Sequence, residues 1–302
     1  MRDALCQSLL SHSLRADFVF LTGDLGYKAL EPLRDALGER FINAGVAEQN
    51  MVSVAAGLAR ESLRPWVYSI APFVYARPFE QIRNDVCFHR LPVVLVGNGG
   101  GYGYGVMGAT HHALEDYGVL LTLPSMRAYV PAFDQDVKVV IDRLFEVDHP
   151  AYLRLGLSEQ PKEWVVPPYE PWRRLLSGEG WLIVVTGTLV GGIWDAVSKL
   201  EQPARPTLWV LSELPPAGLP DAFLADLARA RGLLVVEEHA RQGGMGQIIA
   251  SLLLEHGQMP RQFASRTAQG YVSNLYGSQK FHRTESGIDP AAIIHFLCRE
   301  DA

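Results

Sequence analysis

The chain has 302 residues, an apolar fraction of 48 %, a charged fraction of 20 % and a formal net charge of −6. That length suits two domains of about 150 residues each, and the composition fills real cores and excludes a disordered polymer. A net negative chain offers no basic field to DNA or anionic lipid, so neither nucleic acid nor a membrane is an expected partner. The three cysteines, Cys6, Cys87 and Cys298, are odd in number and widely spaced. With no CxxC pair they indicate neither a disulfide framework nor a zinc ribbon, and they suit a reducing cytosol. The stretch MRDALCQSLLSHSLRADF has polar breaks and no signal-peptide core. No apolar run approaches the ~20 residues of a membrane span, so a cytoplasmic protein is expected.

Two α/β units are read along the chain. In the first, DFVFLTG (17–23), PWVYSI (65–70), LPVVLVG (91–97), MRAYVP (126–131) and PAYLRLG (150–156) are short apolar runs that fit buried strands. Helical spacing lies between them, over EQNMVSVAAGLAR (48–60) and over DQDVKVVIDRLFE (134–146), which opens with an Asp cap and acids in its first turn. Such alternation implies a mostly parallel, doubly wound sheet covered on both faces. SEQPKEWVVPPYEPW (158–172) carries four prolines and reads as a linker. The pattern then repeats, with strands at WLIVVTG (181–187), TLWVL (207–211) and LLVVEE (233–238), helices at 189–200 and 220–230, and a glycine turn into a helix over GGMGQIIASLLLE (243–255). The expected domains are therefore 1–160 and 176–302, joined by a linker over 161–175.

The densest functional region runs from Asn43 to Asp116. In FINAGVAEQNM, Glu48 follows a short apolar strand and opens a helix of small residues. A carboxyl in that setting is desolvated, which favours its protonated form and suits proton sharing with a ring nitrogen. The plainer reading is a first-turn acid on a helix dipole. YSIAPFVYARPFEQIRND (68–85) sets aromatic residues beside Arg77, Glu80, Arg83 and Asp85, and Phe73 or Tyr75 offers a face for a flat heteroaromatic ring, if not simply core packing. GNGGGYGYGVMGATHHALED (97–116) contains GxGxxG after a strand, but no strand-end acid follows about 20 residues on, so a dinucleotide loop is rejected. Glycines this dense let backbone approach a ligand closely. His111 and His112 are candidate acid–base groups; with Glu115 their spacing matches no zinc motif.

GDLG (23–26), RFINAGVAEQNM (40–51), YSIAPFVYARPFEQIRND and GATHHALED (108–116), in that order, resemble the pyrimidine-binding domain of transketolase and its relatives, and VVEEHARQGGMGQ (235–247) resembles the C-terminal domain of that family. The GDG…N motif of the diphosphate-binding domain is not found, so the chain resembles the second subunit of a split transketolase. The resemblance implies thiamine diphosphate, with Mg²⁺ (or Ca²⁺) held mainly by an N-terminal diphosphate-binding partner subunit in an α2β2 assembly. It implies that Glu48 hydrogen-bonds N1′ of the aminopyrimidine and activates the cofactor by sharing its proton. Phe73 would stack on the pyrimidine and Asp24 and Leu25 would lie near the thiazolium. His111 would contact donor oxygens and shuttle protons, and Arg154, with Arg2 at a frayed terminus, would bind a sugar phosphate.

Met107 and about Gly99 stand where the family has an Asp and a His that hold ketose hydroxyls. A buried site without those groups loses strength for the hydroxyls they satisfied. The expectation is two-carbon ketol or acyl transfer between small sugar or 2-oxo substrates, with an activated keto-sugar or a carrier-bound group as acceptor, rather than ordinary xylulose-5-phosphate transfer. The alternatives are a β subunit of a 2-oxoacid dehydrogenase E1 component and a non-catalytic partner subunit.

Overall fold

The computed structural model describes every residue except 27, 28, 163 and 300–302. In chain order the first half holds α1 (Arg2–Ser11), β1 (Phe18–Thr22), α2 (Glu31–Leu37), β2 (Phe41–Asn43), α3 (Glu48–Arg60), β3 (Arg64–Ile70), α4 (Ala71–Tyr75), α5 (Phe79–Gln81, continued by a π-helical turn over Ile82–Cys87), β4 (Val94–Asn98), α6 (Asp116–Leu120), β5 (Arg127–Tyr129), α7 (Asp134–Leu144) and β6 (Ala151–Leu155). The second half holds β7 (Trp172–Leu176), β8 (Leu182–Val185), α8 (Val190–Val197), β9 (Thr207–Leu211), β10 (Glu213–Leu214), α9 (Asp221–Arg229), β11 (Leu233–Val236), α10 (Met245–Glu255), β12 (Phe263–Arg266), α11 (Gln279–Glu285) and α12 (Pro290–Arg299).

Two mostly parallel sheets result, ordered β10-β5-β6-β4-β3-β1-β2 and β12-β11-β8-β9-β7; only β10 and β7 run antiparallel to their neighbours. Strands such as FVFLT, LIVV and LLVV are buried along their whole length, which is why they read as unbroken apolar runs. In α3 the buried face is Met51, Val52, Ala55, Ala56 and Ala59. Its alanines bring the helix backbone close to the sheet, and each larger side chain buried contributes about 1.5–3 kcal/mol. The topology has a direct consequence for ligands. β1 is followed by β2 on one side and by β3 on the other, so the winding reverses between β1 and β3. In open α/β sheets a crevice forms at that reversal, outside the carboxyl ends of the strands.

The two halves are tied by more than a linker. After β9 the chain gives β10 to the edge of the first sheet, where Glu213 and Leu214 pair with Tyr129 and Ala128. The range read as a linker, 161–175, ends inside β7, and Arg173 there is buried. Its guanidinium grips Asp136 of α7 with both nitrogens, Nη1 to Oδ1 at 3.0 Å and Nη2 to Oδ2 at 2.8 Å. Asp136 also accepts the Ala132 and Phe133 amides and so caps its own helix. The terminus expected to fray does not: Met1 is buried and Arg2 opens α1.

Breaking a buried pair by removing one partner leaves an uncompensated charge, at a cost of about 3–5 kcal/mol. Arg173→Ala should lower the unfolding free energy by that amount in denaturant titration. A loss under about 1 kcal/mol would mean the pair does not tie the halves together.

Candidate active site

Four loops meet at the carboxyl ends of neighbouring strands: Gly23–Gly26 after β1, Ala44–Ala47 after β2, α4 after β3, and the glycine-rich stretch after β4. They carry Asp24 and Leu25, Glu48, Phe73 and His111 in turn. Sheet order therefore gathers residues that are far apart in sequence.

Glu48, in the first turn of α3, is 6 % exposed. Its Oε1 accepts a hydrogen bond from Nη1 of Arg77 at 2.8 Å. The Arg77 guanidinium carbon also lies over the Phe73 ring, 3.8 Å from its centroid. Phe73 in turn meets the His111 ring edge-on at 5.3 Å. Glu48, Phe73 and His111 are thus joined in one run of contacts, Glu48 to Arg77, Arg77 to Phe73 and Phe73 to His111. Sequence reasoning gave Arg77 no role, although Phe73 and Arg77 are four residues apart, the spacing at which helical side chains meet. His111 is half-buried, with Nδ1 at 2.9 Å from the Thr110 hydroxyl, and its ring also approaches Tyr104, whose hydroxyl accepts from Asn98 Nδ2 at 2.8 Å. Burial raises the Tyr104 phenol's pKa, and the nearby Arg2 cation works in the opposite direction. Arg2 is exposed at the start of α1.

Asp24 and Leu25 stand apart from that cluster. They line a cavity of about 480 Å³ with Thr22, Glu31, Arg34 and Asn43. Thr22 Oγ1, buried at the end of β1, has no hydrogen-bond partner among the described residues, an orphaned polar atom of the kind that a ligand or water satisfies. A larger cavity, about 1020 Å³, opens at the carboxyl ends of β11 and β12 beside Arg241, Arg266 and His295. None of the expected site residues lines it.

Arg154 requires a correction. On β6 it is buried; Nε donates to Asp116 Oδ2 at 2.7 Å and Nη2 to the carbonyls of Ala113 and Glu238 at 3.0 and 2.9 Å. Burial alone would weaken its charge, but Asp116 holds the guanidinium more firmly protonated than usual. Its hydrogen bonds hold the chain around the glycine loop, and it is not presented to a sugar phosphate. The histidine pair divides as well. His112 is buried, its Nε2 2.8 Å from the Gly105 carbonyl and its Nδ1 2.8 Å from the Tyr271 hydroxyl. Because a carbonyl only accepts, Nε2 carries the proton and Nδ1 accepts from Tyr271. Burial lowers the pKa of His112, so it is a neutral strut. Among the described residues no group of three His, Cys, Asp or Glu side chains is placed to hold a metal ion.

The EEH motif positions the glycine loop. Glu238 Oε1 accepts the Tyr102 amide at 2.6 Å and Gln279 Nε2 at 2.9 Å, and Oε2 accepts Arg283 Nε at 2.7 Å. Gly101 has φ +65°, and a Cβ there would come within 2.6 Å of this carboxylate. Glu237 accepts the first amides of α10, Met245 at 2.6 Å and Gly246 at 2.9 Å, and the Tyr117 hydroxyl. A Cβ on Gly244 would lie 2.7 Å from it, which accounts for the glycine turn. His239 stacks on Tyr117 at 3.8 Å, donates from Nδ1 to the Ala240 carbonyl and accepts the Gly118 amide on Nε2.

The pyrimidine-binding domain of transketolase matches residues 11–161. The chain belongs to the transketolase family. It is 30 % identical over 272 residues to one of the subunits of apulose-4-phosphate transketolase from Actinobacillus succinogenes, covering 88 % of this chain and 86 % of the relative. It is likewise 30 % identical to the Phocaeicola vulgatus protein of the same name, over 80 % of this chain and 78 % of that one. 1-Deoxy-D-xylulose-5-phosphate synthase of Nitratidesulfovibrio vulgaris is 30 % identical over 84 % of this chain, which spans 40 % of that longer protein. Among solved structures, a split-gene transketolase described as an inactive β4 tetramer superposes with a TM-score of 0.83 at 25 % identity, over 99 % of this chain and 96 % of that one. Campylobacter jejuni transketolase shares the fold, with a TM-score of 0.76 at 15 % identity over 99 % of this chain and 46 % of its own.

Burial lowers the pKa of His239 from 6.5 to about 4. A base with a depressed folded pKa gives stability that is present above its unfolded pKa and is lost as pH falls towards the folded one. The protein should therefore lose about 3 kcal/mol from this group between pH 6.5 and about 4. Denaturant titrations across that range test it, and in His239→Gln this part of the acid limb should flatten. An unchanged pH dependence would show that the imidazole is not buried neutral.

Proposed function

We propose that this chain is the aminopyrimidine-binding subunit of a heteromeric thiamine-diphosphate enzyme that transfers a two-carbon ketol or acyl unit. Its partner would be an N-terminal subunit that binds the diphosphate through Mg²⁺, in an α2β2 assembly. The observation that carries the reading is the cluster of buried Glu48 with half-buried Phe73 and His111 at the winding reversal of the first sheet. The residues fit the cofactor's ring: a flat group already lies on Phe73 and reaches Glu48, and an aminopyrimidine ring of similar flatness would take that place with Glu48 sharing a proton with its ring nitrogen. The two apulose-4-phosphate transketolase relatives are themselves named as single subunits of an enzyme, which supports the need for a partner.

When bound, thiamine diphosphate supplies the electron sink for making and breaking the carbon–carbon bond. The chain's own residues do the rest. Glu48 holds and shares a proton at ring nitrogen N1′, shielded from water by its burial. Phe73 provides the stacking face and fixes the ring plane. His111, held by Thr110 and the Phe73 edge, faces the same cluster and hydrogen-bonds or protonates substrate oxygen. Asp24 and Leu25 line the separate cavity at the carboxyl end of β1. With Arg154 buried against Asp116, we assign the phosphate contact on this chain to Arg2. The glycine loop carries Met107 and Gly99 and no acid or histidine at those places, so the acceptor is recognised with few hydroxyl contacts, as an activated keto-sugar or carrier-bound group would be.

Calorimetry with thiamine diphosphate and Mg²⁺ tests the reading on the chain alone, on the chain with its diphosphate-binding partner, and on the Glu48→Gln assembly. Tight binding should require the partner, and Glu48→Gln should lower turnover by about 10²–10⁴-fold, the range for loss of positioned acid–base catalysis. Turnover close to that of wild type would remove Glu48 from the mechanism.

A further inference from the structure

Arg77 occupies the space that the proposed reading gives to the cofactor's ring. Its guanidinium makes two contacts at once: it lies flat-side over Phe73, 3.8 Å from the ring centroid, and it donates to Glu48 Oε1 at 2.8 Å. Together these contacts fix which face of Phe73 is in use. A group 3.8 Å from one face leaves no room for a second ring there, and Glu48 is reached from that same face. An aminopyrimidine that stacks on that face of Phe73 and bonds to Glu48 therefore needs the volume that Arg77 holds.

We propose that Arg77 is a placeholder: it completes the half-site in the isolated chain and must swing out for the aminopyrimidine ring to enter. The chain is built for that movement. The Arg77 side chain is 44 % exposed, whereas the Glu48 side chain is 7 % exposed, so the arginine can move into solvent and the carboxylate cannot. The backbone on either side is held: Val74, Tyr75 and Pro78 are buried, and proline restricts the residue before it. The movement is then one of side-chain torsions alone. The placeholder also meets an electrostatic need. A buried carboxylate without a partner is costly, and the arginine supplies the counter-charge until Glu48 shares a proton with the ring nitrogen. A lysine at this position would keep the charge and lose the flat stacking group. Arg77 is thereby a determinant of cofactor affinity through competition, a role that rests on the proposed reading of the cluster as an aminopyrimidine site.

The probe is the free aminopyrimidine, 4-amino-5-hydroxymethyl-2-methylpyrimidine, added to the full chain and followed by NMR line broadening of its methyl signal. Wild type, Arg77→Ala, Arg77→Lys and the double variant Arg77→Ala/Glu48→Ala are compared, with folding checked by circular dichroism. A placeholder predicts that Arg77→Ala binds the probe about fivefold more tightly than wild type, since a competing stacked ion pair of this kind is worth about 1 kcal/mol. Arg77→Lys should fall between the two, and the double variant should lose the gain. Equal or weaker binding by Arg77→Ala, with wild type still binding, would overturn the placeholder and leave the cofactor reading standing. A gain that survives Glu48→Ala would also overturn it. If no variant binds the probe, the placeholder fails together with the half-site reading.

Discussion

A carboxylate buried just past the end of β11 holds the site loop in place. Glu238 accepts an amide from Tyr102 in the glycine loop, an amide from Gln279 and a guanidinium from Arg283. Tyr102 then sends its hydroxyl to Gly270 and Ser286 on the far side. One charged group of the second half thereby fixes the path of a first-half loop that leads to His111. A buried charge is tolerable only with such complete partnering. The glycine loop lies against the carboxyl end of β11, next to the open cavity at the ends of β11 and β12.

Around that anchor the molecule separates its polar groups by burial. Arg154, Asp116, Tyr152, Tyr117 and Glu237 lie in the interior and are hydrogen-bonded to one another or to backbone. Glu48 is likewise buried, but its cation is open to solvent, as Arg174 and Arg229 are beside the buried Asp226. The difference lies in the partner: Arg154 is enclosed, and Arg77 is open to solvent. Two arginine–carboxylate pairs with nearly equal distances therefore have different consequences, one structural and one poised for exchange.

Much of this is legible in the sequence. The strands are readable because parallel strands covered on both faces are apolar throughout, and Glu48 and Phe73 can be named because the segments around them keep their order. The buried arginine misleads for a physical reason: an arginine on a strand looks the same in sequence whether it faces a crevice or an aspartate 38 residues earlier. Arg77 escapes notice because its importance lies in a contact with Glu48, 29 residues away. β7, β10 and β12 are not foreseen because short edge strands with polar or charged residues carry little periodic signal. The roles of Glu237 and Glu238 depend on long-range geometry, although the glycines at 101 and 244 record their close approach.

The most direct test of the central claim is a crystal structure of this chain assembled with its diphosphate-binding partner, thiamine diphosphate and Mg²⁺. The aminopyrimidine should be stacked on Phe73, with N1′ within hydrogen-bond reach of Glu48 and the Arg77 guanidinium displaced from that face. A ring held elsewhere, or N1′ bonded to a carboxylate other than Glu48, would contradict the claim.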